Sequence, residues 1–278
     1  MGIIKFKSRP HQPVFRKIAT GTWNNGGDPS VYGVLEIEMT NALQFIREIE
    51  QNSGTKITPA HLVGKAISEA IKHRPEINGM IRFRKIYLRK NIDIFYQVNV
   101  EGEGEHKVSK ANLSGVVLRN VDQLSIVEIA RGLLVKVTEI RKGSDEQFAN
   151  TFSLFKSLPW WMASTVLKIF SFLNYDLNLN LSSFGLPKDP FGSVMITNIG
   201  SFGIDLAFAP LVPYSKVPLL MAVGTIKDSP WVENGNLVVR PVIKIGVTFD
   251  HRFMDGVHAA ELAKLFKMYM SNPGKYFN

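Results

Sequence analysis

The stretch that most constrains this chain lies near its C-terminal end. A long β-type run, LVVRPVIKIGVTF (237 to 249), passes within six residues into an amphipathic helix that begins at about Gly256 and runs to Met270. Asp250, His251 and Arg252 fall at the end of the strand, and Asp255 opens the helix. A histidine at a strand-to-helix junction can be held rigidly with one ring nitrogen free. Because imidazole titrates in the working pH range, His251 suits removal of a proton from an alcohol, a thiol or an amine. Asp255 is placed to ion-pair with a neighbouring group and to cap the helix at once. His251, Asp255 and His258 also offer nitrogen and oxygen ligands within eight residues. Their spacing matches no HExxH-type motif, so no metal is expected. On these residues alone a purely structural histidine stays open.

Upstream, VYGVLEIE (31 to 38) reads as a strand, and Thr40 as the cap of a helix ending near Gly54. Thr58-Pro59 starts a second helix that runs to about His73 and stops before Pro75. NIDIFYQVNV alternates as a half-buried strand before the turn-rich EGEGE, and Ser125 with Glu128 forms a capping box for a helix reaching Gly143. SVMITN (193 to 198) and PLLMAVGTI (218 to 226) are further strands. Strands and helices mix without regular βαβ repetition, which predicts an α/β sandwich with a mixed sheet. Neither a repeat nor a Ser/Gly linker divides the chain, so residues 1–278 are read as one domain.

The chain has no cysteine, which excludes disulfides, thiolate metal sites and a cysteine nucleophile. The start MGIIKFKSRPHQPVF lacks the apolar run and cleavage site of a secretory signal, so a cytoplasmic protein is expected. With 33 Lys and Arg against 24 Asp and Glu, the formal charge is +9. That charge is spread rather than blocked, and no nucleic-acid-binding signature accompanies it, so no nucleic-acid partner is expected. Its densest stretch is RFRKIYLRK, where basic and apolar residues alternate at strand period. It reads as a solvated strand face or as an anion site in which Arg82, Arg84 and Lys85 meet a cofactor phosphate.

One segment does not fit an ordinary enzyme core. FSLFKSLPWWMASTVLKIFSFLN (152 to 174) is almost continuously apolar and carries only Lys156 and Lys168 as charges. It is long enough to span a bilayer if wholly helical, but Pro159 and the mid-segment Lys168 argue against a span. A buried or oligomer-interface helical hairpin and an interfacial, lipid-contacting element remain.

DHRFMDG (250 to 256) resembles the DHRxxDG signature of the catalytic domain of dihydrolipoamide acyltransferases, the core components of 2-oxo acid dehydrogenase complexes. That family shares its fold with chloramphenicol acetyltransferase. ITNIGSFGID (196 to 205) is similar to the family's ISNLGxFGI, and VPLLMAVG (217 to 224) to its PPQxAILAVG. FRKIA (15 to 19) is similar to MRKxIA, and KITPAHLVGKAISEAIKHRPEING (56 to 79) to a further family block. Together these cover most of the chain in the right order.

The resemblance implies a two-layer sandwich with a mixed sheet, a homotrimer or larger assembly, and a channel at the subunit interface. It implies coenzyme A as substrate and direct transfer, with His251 as general base and Thr197, at the position of the family's serine, as oxyanion donor. It also implies a structural ion pair of Asp255 with Arg16. Two departures stand out. Neither a lipoyl domain nor a peripheral-subunit-binding domain is visible, so no lipoyl group is expected on this chain. The stretch from about 144 to 188 is much longer than the family's link and contains the apolar segment, an apolar helical insertion. The leading expectation is therefore a standalone acyltransferase acting from acyl-CoA on a small or lipidic hydroxyl, amine or thiol. The alternative is a core subunit that acylates dihydrolipoamide on a separate lipoyl protein, and a third reading is an inactive trimeric scaffold. Peripheral contact with the inner face of the membrane through 152–174 accompanies the first.

Overall fold

The computed structural model describes residues 29–83, 85–100, 112–141, 159–181 and 189–277. Alternation of apolar side chains produces strands β1 (Ser30–Glu38) and β4 (Ile94–Val100) where the pattern predicts them. They join β5 (Asn112–Leu118), β6 (Val194–Asn198), β7 (Leu219–Glu233) and β8 (Asn236–Asp250) in one mixed sheet of order β1-β8-β7-β6-β4-β5. β4, β6 and β7 run parallel, and the remaining pairings are antiparallel.

Helices α1 (Thr40–Ser53), α2 (Pro59–His73), α3 (Ile126–Arg141) and α5 (Gly256–Ser271) follow the expected spans. Their apolar stripes cover one face of the sheet, and Ile94, Ile196, Met221 and Ile243 sit at the centre of the core between. A smaller cluster of Met195, Leu211, Val217 and Leu220 lies apart from that core. Strand alternation puts Met195 on the sheet face opposite Ile196. The helix ends obey their chemistry. Gly54 terminates α1 in the left-handed conformation, and Ser125 and Glu128 form the predicted capping box on α3.

Three expectations are corrected. Thr40 is the first residue of α1 rather than its cap; Met39 takes that place, and the Glu38 carboxylate accepts from the Thr40 backbone N–H. RFRKIYLRK is not one strand but part of a hairpin, β2 (Gly79–Arg82) and β3 (Lys85–Leu88), which pair antiparallel. Phe83 at its tip takes a left-handed φ of 47°, which turns the chain where alternation alone would continue it. The apolar stretch does not form a helical hairpin within its described part. One short helix, α4 (Ala163–Ser171), is preceded by a 3-10 turn at Trp160–Met162 and followed by a π-turn at Phe172–Asp176. Among the described residues no helix is long and apolar enough to cross a membrane.

His61, in the first turn of α2, accepts the Thr58 backbone N–H at Nδ1 over 3.1 Å. Burial holds its imidazole at a pKa of about 4, below the ordinary histidine value of 6.5. The neutral ring is thus required by the fold. Its contribution is fully present above pH 6.5 and is lost as pH falls towards 4, to a limit of about 3 kcal/mol. Urea-denaturation midpoints measured across that range should fall with pH in the native protein. They should fall less in His61→Asn, whose side-chain oxygen accepts the same bond without titrating.

Candidate active site

β8 ends in a turn that is braced from every side. The Asp250 N–H donates to the Pro218 carbonyl over 2.9 Å, and the His251 N–H to that of Pro29 over 3.0 Å. The Asp250 carboxylate accepts from the Arg252 backbone N–H at 2.9 Å, and from Nε and Nη2 at 3.0 and 2.7 Å. This forked pairing is the geometry in which arginine holds a carboxylate most firmly. Phe253 and Met254 then bury their side chains and donate both backbone N–H groups to the Asp250 carbonyl. His251 is left exposed on this hydrogen-bonded turn.

Asp255 caps α5, as its position predicts. Its carboxylate accepts the backbone N–H groups of Val257 and His258, and His258 Nδ1 lies 2.7 Å from its Oδ1. These bonds, chiefly from His258, hold the Asp255 carboxyl below the usual carboxylate range. The expected partner Arg16 lies outside the described residues. His258, weighed at first as a metal ligand, is instead the second half of this capping box.

Thr197 lies near the end of β6, in register with Gln97 on β4 and Ala222 on β7. Alternation puts its side chain on the face of Met195, away from the helices. The chain then turns sharply: the Asn198 carbonyl accepts the Ser201 hydroxyl, and the Ile199 N–H donates to Val223. Residues 204 to 208 cross the sheet at backbone contact. A Cβ on Gly224 would stand 1.9 Å from the Asp205 carbonyl oxygen, and one on Gly246 would stand 2.1 Å from that of Ala207. Glycine is required at both places because only its bare backbone admits the crossing chain. The Thr225 N–H closes the contact by donating to the Ile204 carbonyl.

The sheet register places Thr197 and the end of β8 in one frame but not in contact. Thr197 shares a row with Ala222 and Gly246, whereas Asp250 lies four residues further along β8 and two strands across. From strand rise and spacing, their Cα atoms are roughly 16 Å apart.

The basic candidates lie on the β2–β3 hairpin. Arg82 is engaged within the chain, donating from Nη2 to the Asp176 carbonyl at 2.6 Å and stacking over the Tyr87 ring. Lys85 is exposed on β3, and Arg84 lies outside the described residues. Sequence reasoning missed two features of the site. One is the role of Arg252 in bracing the turn, signalled by its adjacency to Asp250. The other is the loop crossing at Gly224 and Gly246, for which isolated glycines within β-type runs were the available signal. Gly246→Ala should destabilise the protein by about 1–3 kcal/mol through this overpacking and lift the loop. Amide exchange at Thr225 reads that displacement directly, and should accelerate.

The family model of 2-oxoacid dehydrogenases acyltransferase (catalytic domain) matches residues 6–150 and 190–278. The dihydrolipoyllysine-residue acetyltransferase component of the acetoin cleaving system of Bacillus subtilis is 25% identical over 227 residues, 81% of this chain and 44% of that protein. The probable dihydrolipoyllysine-residue succinyltransferase component of the mitochondrial 2-oxoglutarate dehydrogenase complex of Schizosaccharomyces pombe is 28% identical over 229 residues, 82% of this chain and 40% of that protein. The chain thus spans less than half the length of these curated relatives. Among solved structures, a probable dihydrolipoamide acetyltransferase from Listeria monocytogenes aligns over 95% of this chain and 94% of its own, with 18% identity and a TM-score of 0.65. A chain of the cubic core of a pyruvate dehydrogenase multienzyme complex aligns over 98% of this chain and 93% of its own, with 18% identity and a TM-score of 0.68. The structures establish the fold, and the family model, covering both the Thr197 strand and the His251 turn, establishes the lineage: this chain belongs to the 2-oxoacid dehydrogenase acyltransferase family, in its catalytic domain.

Proposed function

We propose that this chain transfers an acyl group between coenzyme A and the thiol of a dihydrolipoyl group. The observation that carries this reading is the exposed His251, fixed on a braced turn within the family's DHRFMDG block. The expectation of a standalone transferase acting on a hydroxyl, an amine or a lipidic acceptor gives way to its alternative, a core-type subunit acylating dihydrolipoamide. The curated relatives named above are dihydrolipoyllysine-residue acyltransferases, and their names favour a lipoyl acceptor.

The chemistry follows from the residues. His251 takes the S–H proton of the attacking thiol, and the thiolate adds to the thioester carbonyl of the donor. The Thr197 hydroxyl donates to the oxygen that gains charge, where a single positioned donor is worth roughly 3 kcal/mol. Collapse of the adduct breaks the original C–S bond, and the departing thiolate recovers its proton from His251. The acyl group thus passes directly from one sulfur to the other.

A separation of roughly 16 Å is too large for one chain to bring His251 and Thr197 to the same carbonyl. The site is therefore completed between copies, His251 from one and Thr197 from its neighbour, in a homotrimer or larger assembly. Exposed Phe202, Ile204 and Val257, beside the two half-sites, supply apolar surface for that contact.

The test is transfer from acetyl-CoA and longer acyl-CoAs to dihydrolipoamide, with the acylated product separated by chromatography. His251→Ala should lower turnover by about 10²–10⁴-fold with the oligomer intact. Thr197→Val should lower it by about 10²–10³-fold, while Thr197→Ser, which keeps the hydroxyl, stays near the native rate. Full activity in His251→Ala, or transfer to alcohols or amines with dihydrolipoamide left untouched, would overturn the assignment.

A further inference from the structure

The family match stops at residue 150 and resumes at 190, and within that gap the chain builds a surface that the proposed reaction does not use. Helix α4 turns small or inward-packing side chains to the protein, with Ala163, Leu167 and Ser171 buried. Ile169 on its other side, Trp161 in the turn before it and Phe172 in the turn after it are 53%, 64% and 45% exposed. Trp161, Thr165, Lys168, Ile169 and Phe172 recur at three- and four-residue spacing, so they form one continuous stripe. The outward face therefore carries large apolar and aromatic side chains beside Thr165 and Lys168.

The stripe does not stand alone. Phe172 meets Phe83, at the tip of the β2–β3 hairpin, edge to face at 6.3 Å between ring centroids. The hairpin also presents Ile86 and Leu88, both more than half exposed, on the face of β3 opposite Lys85. Two cations lock the two elements together. Arg82 donates to the Asp176 carbonyl, and Lys216 Nζ holds the Asp176 carboxylate at 2.7 Å while donating to the Ile81 carbonyl.

The charge around this ledge is one-sided. Residues 79–92 contain Arg82, Arg84, Lys85, Arg89 and Lys90 and no acid, Arg89 being paired with Asp189, and residues 159–181 add Lys168. Asp176, the one carboxylate in those two stretches, is neutralised by Lys216. Lys85, Lys90 and Lys168 are exposed.

We infer that this ledge docks on an anionic bilayer surface, with its aromatic and aliphatic side chains entering the headgroup region and its lysines meeting lipid phosphates. Trp, Phe and Ile beside Lys, with no unpaired acid among the described residues of those two stretches, is the composition that an anionic interface selects. A two-fold contact with a second copy is less favourable on this patch. It would gather Lys168 and its neighbouring cations from both copies into one contact, with no unpaired carboxylate among the described residues of those two stretches to offset them.

The experiment is co-sedimentation of the full chain with phosphatidylglycerol-containing vesicles and with vesicles of phosphatidylcholine alone. The native protein should bind the anionic vesicles at least about tenfold more tightly and lose that binding in high salt. Ile169→Glu/Phe172→Glu should weaken anionic binding by about tenfold or more without altering acyl transfer or oligomer size. Lys168→Glu, a milder surface change, should weaken it in the same direction. Equal indifference to both vesicle types would overturn the inference. So would native-level binding in both variants, or a smaller oligomer in Ile169→Glu/Phe172→Glu, which would assign the ledge to contact between copies.

Discussion

The register of β8 against β7, and of β7 against β6, is the constraint on which the site depends. Each of β7 and β8 is fifteen residues long, and their pairing delivers the DHRFMDG turn at one end of the sheet. Parallel pairing of β6 with β7 fixes Thr197 in the same frame. Slipping either ladder by one residue would move every side chain of that strand to the opposite face. Gly224 and Gly246 add a second lock, because the loop that follows β6 rests on strand backbone at those two positions. Both half-sites are therefore held by the same hydrogen-bonded lattice, and the distance between them is a property of the lattice rather than of any loop.

Polar pins at strand ends complete that frame. Asp250 holds the end of β8 through its fork with Arg252. Asp93 does the same before β4: its carboxylate accepts from Arg119 and from the Asn120 N–H, and its carbonyl accepts the Ser193 N–H just ahead of β6. Such buried carboxylates are tolerable because their oxygens are satisfied, and breaking one partner would leave the other uncompensated. The site is thus rigid where chemistry is proposed, while the surface given to docking is built from a short helix and a two-stranded hairpin that rely on a few cations for their placement.

Much of this was legible in the sequence, for physical reasons that differ by element. Strands with strict alternation, such as VYGVLEIE, and helices with capping chemistry, such as that opened by Ser125 and Glu128, follow from local rules and appear where those rules put them. The cap and strand position of Asp255 and His251 were readable because their motif is contiguous. RFRKIYLRK misled because alternation does not report a turn when the turn residue is not glycine, and Phe83 takes a left-handed φ without that signal. The apolar segment misled because composition states that side chains avoid water but not what covers them; Trp161 and Phe172 remain exposed on this chain. The roughly 16 Å between Thr197 and the end of β8 was not accessible at all, since it depends on pairings between residues far apart in the chain.

The division of the site between copies is tested most directly by complementation. His251→Ala and Thr197→Val chains carrying different tags would be co-expressed, and mixed assemblies purified through both tags. In a cyclic trimer, each mixed assembly regains one interface at which an intact His251 faces an intact Thr197, so the account predicts about a third of native transfer activity. Activity no greater than the weighted sum of the two parents would contradict it.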